Sequence, residues 1–302
     1  MRDDQPIVAA LLRSILRLTL GRSLKAGLPV ALQRQRLARV TRLTLPPRGS
    51  RFTIETVGGV PGETAEHAAG SARSPVVLYL HGGGYCVGAP ATHRAITGHL
   101  ARLTGARVHA PDYRLAPEHP FPAALDDAVA SYRGLLQSGS EAGDVVIAGD
   151  SAGGGLAVAT ALRLRELGLP APRALVLFSP WVDLTLEQTG PVPPGEIMLT
   201  LPWVRECARA YVAGGDPRQP LVSPLFADLR GLPATLIQLG TDELLRADAR
   251  RLRERLADAG VAVTFEEYPG RWHVFQANAG VLADADRALA SAARFAREAG
   301  GA

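Results

Sequence analysis

The sequence predicts an α/β fold, a mostly parallel central sheet with helices on both faces, and three observations carry that expectation. From Arg51 onward short β-rich runs alternate with longer helical patterns, the order a parallel sheet with crossover helices requires. Several of these runs are almost wholly apolar, as strands covered on both faces must be. The 302 residues, 47% hydrophobic and 21% charged, suffice for one large core and suit neither a disordered nor a fibrous chain.

Taken in order, strands are expected at 52–57, 76–80, 108–113, 145–148, 174–178, 235–239 and 261–268, with helices such as 123–136 and 156–167 between them. The polar, Gly- and Ala-rich stretch between the first two strands suits a hairpin or loop. Residues 1–45 read as helical, with Leu11, Leu12, Ile15, Leu16 and Leu18 set among arginines, until Pro46 and Pro47 punctuate the chain. The stretch from about 183 to 215 breaks the alternation with Pro191, Pro193, Pro194 and Gly195, then a helix-like run from Pro202 to Val212. We therefore expect N-terminal cap helices in 1–45 and a catalytic domain over 46–302, with a cap insertion at about 183–215. Such a lid shields a reacting substrate from water.

The net charge of +4 is small and the arginines are spread along the chain, with Lys25 the only lysine, so no nucleic-acid partner is expected. Cys86 and Cys207 lack the spacing of a zinc site or a disulfide framework; they read as two free buried thiols in a reducing compartment. The apolar stretch 7–20 is interrupted by Arg13 and Arg17 and preceded by Asp3 and Asp4. It is also shorter than the roughly 20 residues that span a bilayer. It is read as an amphipathic helix, and the expectation is a cytoplasmic protein with no membrane partner.

Chemistry concentrates at strand ends. Val145-Val-Ile-Ala-Gly-Asp-Ser151-Ala-Gly-Gly154 is an apolar strand running into G-x-S-x-G and then a helix. The flanking glycines allow the tight strand-to-helix turn that projects a serine hydroxyl beside a helix N-terminus. A serine hydroxyl is a weak nucleophile at neutral pH; it needs a base, and the base needs a carboxylate to hold its tautomer. In the α/β-hydrolase fold that such an elbow implies, the acid follows a late strand and the histidine the last one. Asp242 and His273 occupy those places. Glu243 and Asp248 are rival acids, but both fall toward the following helix, so Asp242 is preferred. After the strand at 76–80 comes His81-Gly-Gly-Gly-Tyr85. Consecutive glycines let the backbone aim its N–H groups at an oxygen that becomes negative, so Gly83 and Gly84, with the amide of Ala152, are assigned as an oxyanion hole. No phosphate-loop pattern is present to favour a nucleotide. Tyr85, Trp181, Trp203 and Tyr211 are candidates to line the substrate pocket, against the alternative that they are core or lid packing.

Together, His81-Gly-Gly-Gly-Tyr85, Gly149-Asp-Ser-Ala-Gly-Gly154, Asp112-Tyr-Arg-Leu-Ala-Pro-Glu-His-Pro-Phe-Pro-Ala-Ala-Leu-Asp-Asp127 and Ser179-Pro-Trp-Val-Asp183 resemble the hormone-sensitive-lipase family of bacterial esterases, from about residue 73 onward. The resemblance implies the Ser151, Asp242 and His273 triad, the same oxyanion hole, an N-terminal cap beside an inserted one, no cofactor or metal, and at most a dimer. It also implies that His81, Arg114, Glu118 and His119 are scaffold. The expected substrate is a small or short-chain ester, because the cap segments are short. Lactone hydrolysis and acetyl or aryl amide cleavage remain open on the same machinery, and a non-catalytic small-molecule binder is the more distant alternative.

Overall fold

The computed structural model describes residues 5–68 and 75–299. Asp3, Asp4 and the first positions of the N-terminal cap segment lie outside them. Eight strands form one sheet: β1 (Ser50–Val57), β2 (Val60–His67), β3 (Val76–Leu80), β4 (Val108–Pro111), β5 (Val145–Asp150), β6 (Ala174–Phe178), β7 (Thr235–Gly240) and β8 (Val263–Tyr268). Their order is β1-β2-β4-β3-β5-β6-β7-β8. The β1–β2 and β2–β4 pairs are antiparallel and the rest parallel.

Seven of these strands lie where the apolar runs predict them; β2 was read only as hairpin or loop. Its sequence, Val-Pro-Gly-Glu-Thr-Ala-Glu-His, has little intrinsic strand preference. What makes it a strand is tertiary. Gly58 and Gly59, both at positive φ, close a two-residue hairpin that pairs Val57 with Val60, and β4 then supplies a ladder on the other side.

Alternate residues of each inner strand serve two cores. Leu78, Leu80, Val145, Ile147, Leu175 and Leu177 face one cluster, while Val77, Tyr79, Val146, Ala148, Val176 and Phe178 face the other. Helices α4 (Ala123–Gln137), α5 (Ala152–Glu166) and α7 (Arg246–Asp258) pack on the first face, and α3 (Arg94–Thr104) and α8 (Ala283–Glu298) on the second. The strand period of two thus sends every second side chain to a different layer.

The N-terminal segment forms α1 (Pro6–Ser23) and α2 (Val30–Thr41), and the segment at about 183–215 contributes one helix, α6 (Leu201–Val212). These pieces are tied together and to the sheet by side chains. The Trp203 indole donates to Gln33 of α2 at 2.7 Å, the Gly27 amide donates to Glu206 at 3.0 Å, and the Arg34 guanidinium donates to the Cys86 and Ala116 carbonyls and to Glu118.

Backbone packs closely where β5 turns into α5. A Cβ on Gly153 would sit 2.0 Å from the Leu80 carbonyl oxygen and 2.5 Å from that of His81, and one on Gly149 would sit 2.3 Å from the Gly153 oxygen. Backbone cannot retreat as a flexible side chain can. Gly153→Ala is therefore expected to destabilise the fold by about 1–3 kcal/mol, read as a drop in Tm of several degrees. An unchanged Tm would mean that the β3 end is free to move.

Candidate active site

Ser151 is the N-cap of α5 and sits at φ 52°, ψ −122°, a conformation rare for a residue with a side chain. It persists because its surroundings over-determine it. The Ser151 amide donates to the Phe178 carbonyl at 2.9 Å, and its own carbonyl accepts from Trp181 at 2.9 Å and Gly154 at 3.0 Å. The hydroxyl is thereby held above the carboxyl edge of the sheet, where the ends of β3, β7 and β8 also converge.

Asp150, next to it, is buried and ties the glycine loop to the elbow. Its carboxylate accepts from the Gly82 amide at 3.0 Å and from the Tyr79 hydroxyl at 2.6 Å, with His93 Nε2 at 3.4 Å. Burial opposes the Asp150 charge, yet the His93 imidazole and these donors hold its carboxyl below the usual range. His81 stacks on Tyr113 with centroids 4.2 Å apart, and burial, with His93 beside it, pushes its imidazole down to about 3. A histidine that stays neutral and walled in is scaffold. Gly83, at φ +126°, follows on the cavity wall with Ser151, and Gly84 packs against Cys207 and Trp203. The amides of Gly83, Gly84 and Ala152 donate to no acceptor among the described residues, as donors kept for a ligand oxygen would.

His273 is buried and lies on the same cavity wall as Ser151. The carboxylate facing it belongs to Glu243. Glu243 Oε2 is 3.8 Å from His273 Nδ1, an ion-pair separation just beyond hydrogen-bond length. Both imidazole nitrogens of His273 and Oε1 of Glu243 are buried without a hydrogen-bond partner. The Ser179 hydroxyl links the two loops: it donates to Glu243 Oε2 at 2.6 Å and accepts from the Val274 amide at 3.2 Å. Burial pulls the His273 imidazole down, but the Glu243 carboxylate, with Glu196 and Asp150 farther off, outweighs it and leaves the pKa above its ordinary 6.5.

Asp242, the acid preferred from sequence, points elsewhere. Its carboxylate accepts from Arg13 of α1 at 3.0 Å and is a third exposed. The same guanidinium donates to the Gly195 carbonyl at 2.9 Å and the Gly270 carbonyl at 2.7 Å and lies 5.6 Å from the Trp272 ring centre. Arg13 thus fastens the N-terminal helix to three loops, with Asp242 as one of its acceptors. Asp248, the other rival acid, is buried away from the histidine. Burial, together with the charge of Asp183, raises its carboxyl to about 7.

The aromatic candidates divide. Trp203 lines the cavity with Ser151 and His273. Tyr85, Trp181 and Tyr211 do not; they form a buried stack behind the glycine loop, with Tyr85 and Tyr211 centroids 3.7 Å apart and their planes 7° from parallel. These buried rings fill the core under the loop and are absent from the cavity lining, so the structure places them as packing rather than as pocket residues. Cys86 and Cys207 are free and buried. Among the described residues no group of three or more His, Cys, Asp or Glu side chains is placed to hold a metal ion.

The cavity above Ser151 has a volume of about 550 Å³ and runs between α1 and α2 past Leu16, Leu37, Val40 and Trp272. Its walls are mainly apolar, and Asp150, Ser151 and His273 are among its polar lining residues.

The chain agrees at every level with known proteins of this architecture. The family model described as the alpha/beta hydrolase fold matches residues 77–277. An acetyl-hydrolase of Streptomyces hygroscopicus is 46% identical over 250 residues, 82% of this chain and 83% of the relative. An esterase of Acinetobacter venetianus is 39% identical over 243 residues, 80% of each. The crystal structure of an esterase from the bacterial hormone-sensitive lipase family superposes with a TM-score of 0.89 at 36% identity, covering 97% of this chain and 98% of that one. That of a hormone-sensitive lipase from a metagenome library gives 0.91 at 37%, covering 96% and 97%. The chain belongs to the alpha/beta-hydrolase fold family and, within it, to the bacterial hormone-sensitive-lipase esterases.

Proposed function

We propose that the protein hydrolyses carboxylic esters through an acyl-enzyme on Ser151, with His273 as base and Glu243, rather than Asp242, as the acid that holds it. The observation that carries this reading is the buried Glu243 carboxylate 3.8 Å from Nδ1 of His273, a residue that lines the same cavity as Ser151. In the first step Ser151 Oγ attacks the acyl carbon while His273 Nε2 takes its proton, and the oxygen that becomes negative is met by the amides of Gly83, Gly84 and Ala152. His273 returns the proton to the departing alkoxide. Water, deprotonated by the same nitrogen, then releases the acid and restores Ser151. Glu243 steadies the imidazolium through Nδ1 without taking its proton. Helices α1 and α2 and the 183–215 segment act as the cap, and the two reduced thiols fit a cytoplasmic setting.

The base works only when neutral, and its pKa is raised, so activity is lost as pH falls and the acid limb of kcat/KM lies above pH 6.5. Glu243→Gln removes the main raising charge. It is expected to move that limb to lower pH and to cut kcat by up to about 10⁴-fold, as wrong-tautomer variants of such triads do. Asp242→Asn should leave the limb in place, and Ser151→Ala should abolish turnover of p-nitrophenyl butyrate. The reverse pattern for the two acids would return the role to Asp242.

A cavity of about 550 Å³ is within the range that encloses drug-sized ligands and exceeds what an acetyl group needs. The short-chain preference expected from the short cap segments is accordingly widened. If the acyl chain occupies this cavity, kcat/KM should climb by up to about fourfold per methylene from acetate toward hexanoate, at about 0.8 kcal/mol for each buried CH₂. A second arrangement is favoured by the likeness to a relative called an acetyl-hydrolase. There the acyl group is small and the apolar cavity holds the alcohol part. A panel that lengthens the acyl and alcohol sides separately decides which side gains.

A further inference from the structure

Six of the ten large apolar side chains exposed among the described residues fall in residues 7–45: Ile7, Leu11, Ile15, Leu18, Leu43 and Leu45. The first four recur along one face of α1, and Leu43 and Leu45 follow α2. Ile15, Leu43, Leu45 and the exposed Val281 also line the cavity that reaches Ser151, so they form its rim. The apolar face and the cavity mouth are one surface.

Charge sorts the same way. Residues 5–51 hold ten basic side chains and no acidic one, whereas residues 52–302 hold 22 basic and 27 acidic. The positive balance that looked diffuse along the sequence is a property of the cap, and the catalytic body is net acidic. Arg22, Lys25, Arg39, Arg42, Arg48 and Arg51 are exposed and form no ion pair among the described residues. No helix there is long and apolar enough to cross a membrane.

We propose that this face docks the protein on an anionic lipid surface, with α1 lying in the interface and the cavity mouth opening toward the lipid. An apolar stripe bordered by unpaired cations is the pattern of a helix that lies in the headgroup region of a bilayer rather than crossing it. A second copy of the chain is the poorer occupant, because a symmetric contact would press one cationic cap against another. A lipid surface matches both the apolar side chains and the charge, and it places ester groups at the face where exposed apolar residues form the cavity rim. This departs from the expectation of no membrane partner, which rested on the absence of a spanning segment and on charge counted over the whole chain.

The choice of lipid rests on reading the cavity as an ester site, so binding is measured apart from turnover. Full-length Ser151→Ala protein is sedimented with vesicles of phosphatidylcholine alone or mixed with phosphatidylglycerol. Binding is expected to the mixed vesicles, to fall steeply as salt is raised, and to be weak on phosphatidylcholine alone. Arg39→Gln with Arg42→Gln should weaken it about 30-fold, since each basic side chain near such a surface contributes about 1 kcal/mol, or about fivefold. Ile7→Gln, Leu11→Gln and Leu18→Gln together should weaken it at least as much, and both variants should melt as the parent does. The proposal is overturned if the parent fails to bind mixed vesicles, binds both kinds equally, or binds undiminished after either set of substitutions. It is also overturned if sedimentation equilibrium shows a dimer that the apolar substitutions split.

Discussion

The contact between the β5–α5 turn and the end of β3 is the constraint from which the site's geometry follows. For the Ser151 hydroxyl to stand clear of the sheet, the chain must reverse within two residues and lay the first turn of α5 directly on the Leu80 and His81 carbonyls. Only glycine permits that approach at 149 and 153. Once it is made, β3 leaves the sheet beside the nucleophile, and Asp150 can reach across to the Gly82 amide. The glycine loop is therefore positioned by the same residue pair that positions the serine. In the proposed mechanism the oxyanion donors and the nucleophile are thus held by one set of backbone contacts, in place before any substrate arrives.

The loops that carry the proposed base and its carboxylate are joined by a single side chain. Glu243 follows β7 and His273 follows β8, and what couples those loops is the Ser179 hydroxyl at the end of β6, donating to one and accepting from the other. Arg13 works from outside, holding Asp242, Gly195 and Gly270 together through one guanidinium. Two adjacent carboxylates thus serve two purposes. The inward one meets the histidine and the outward one anchors the cap. Arg13 therefore ties α1 to the loop that bears Glu243, so in the proposed mechanism the position of the cap and the geometry of the base depend on one another.

Much of this was legible in the sequence, and what was not has identifiable causes. Ser151 and the His81–Tyr85 glycines announce themselves because their chemistry is local: the turn they form needs those residues in that order. The choice between Asp242 and Glu243 is not local. Adjacent residues in a turn point in different directions, and which of them turns inward is decided by Ser179 and Arg13, 64 and 229 positions away in the chain. Tyr85, Trp181 and Tyr211 were misplaced for a related reason, since an aromatic side chain near a catalytic loop is equally suited to line the cavity or to support it from behind. Strand β2 escaped because its neighbours, not its own residues, make it a strand. The cap's charge was in plain view, yet a count over the whole chain cancelled it.

The unpaired atoms at the centre bear on how the site would turn over. Both nitrogens of His273 and Oε1 of Glu243 are buried without partners, while Glu243 Oε2, held by the Ser179 hydroxyl, stands 3.8 Å from His273 Nδ1. Closing the separation between His273 and Glu243 to hydrogen-bond length would satisfy Nδ1, and in the proposed mechanism Nε2 is the nitrogen left for the serine hydroxyl. The glycine loop and Ser151 are fixed by backbone packing on β3, whereas the loops that carry Glu243 and His273 are linked through one hydroxyl, that of Ser179. Binding a substrate beneath the cap would therefore be expected to tighten the histidine rather than the serine. The division suits the chemistry, because the oxyanion donors must not move as charge develops, while the imidazole must approach the serine in one step and the leaving alcohol in the next.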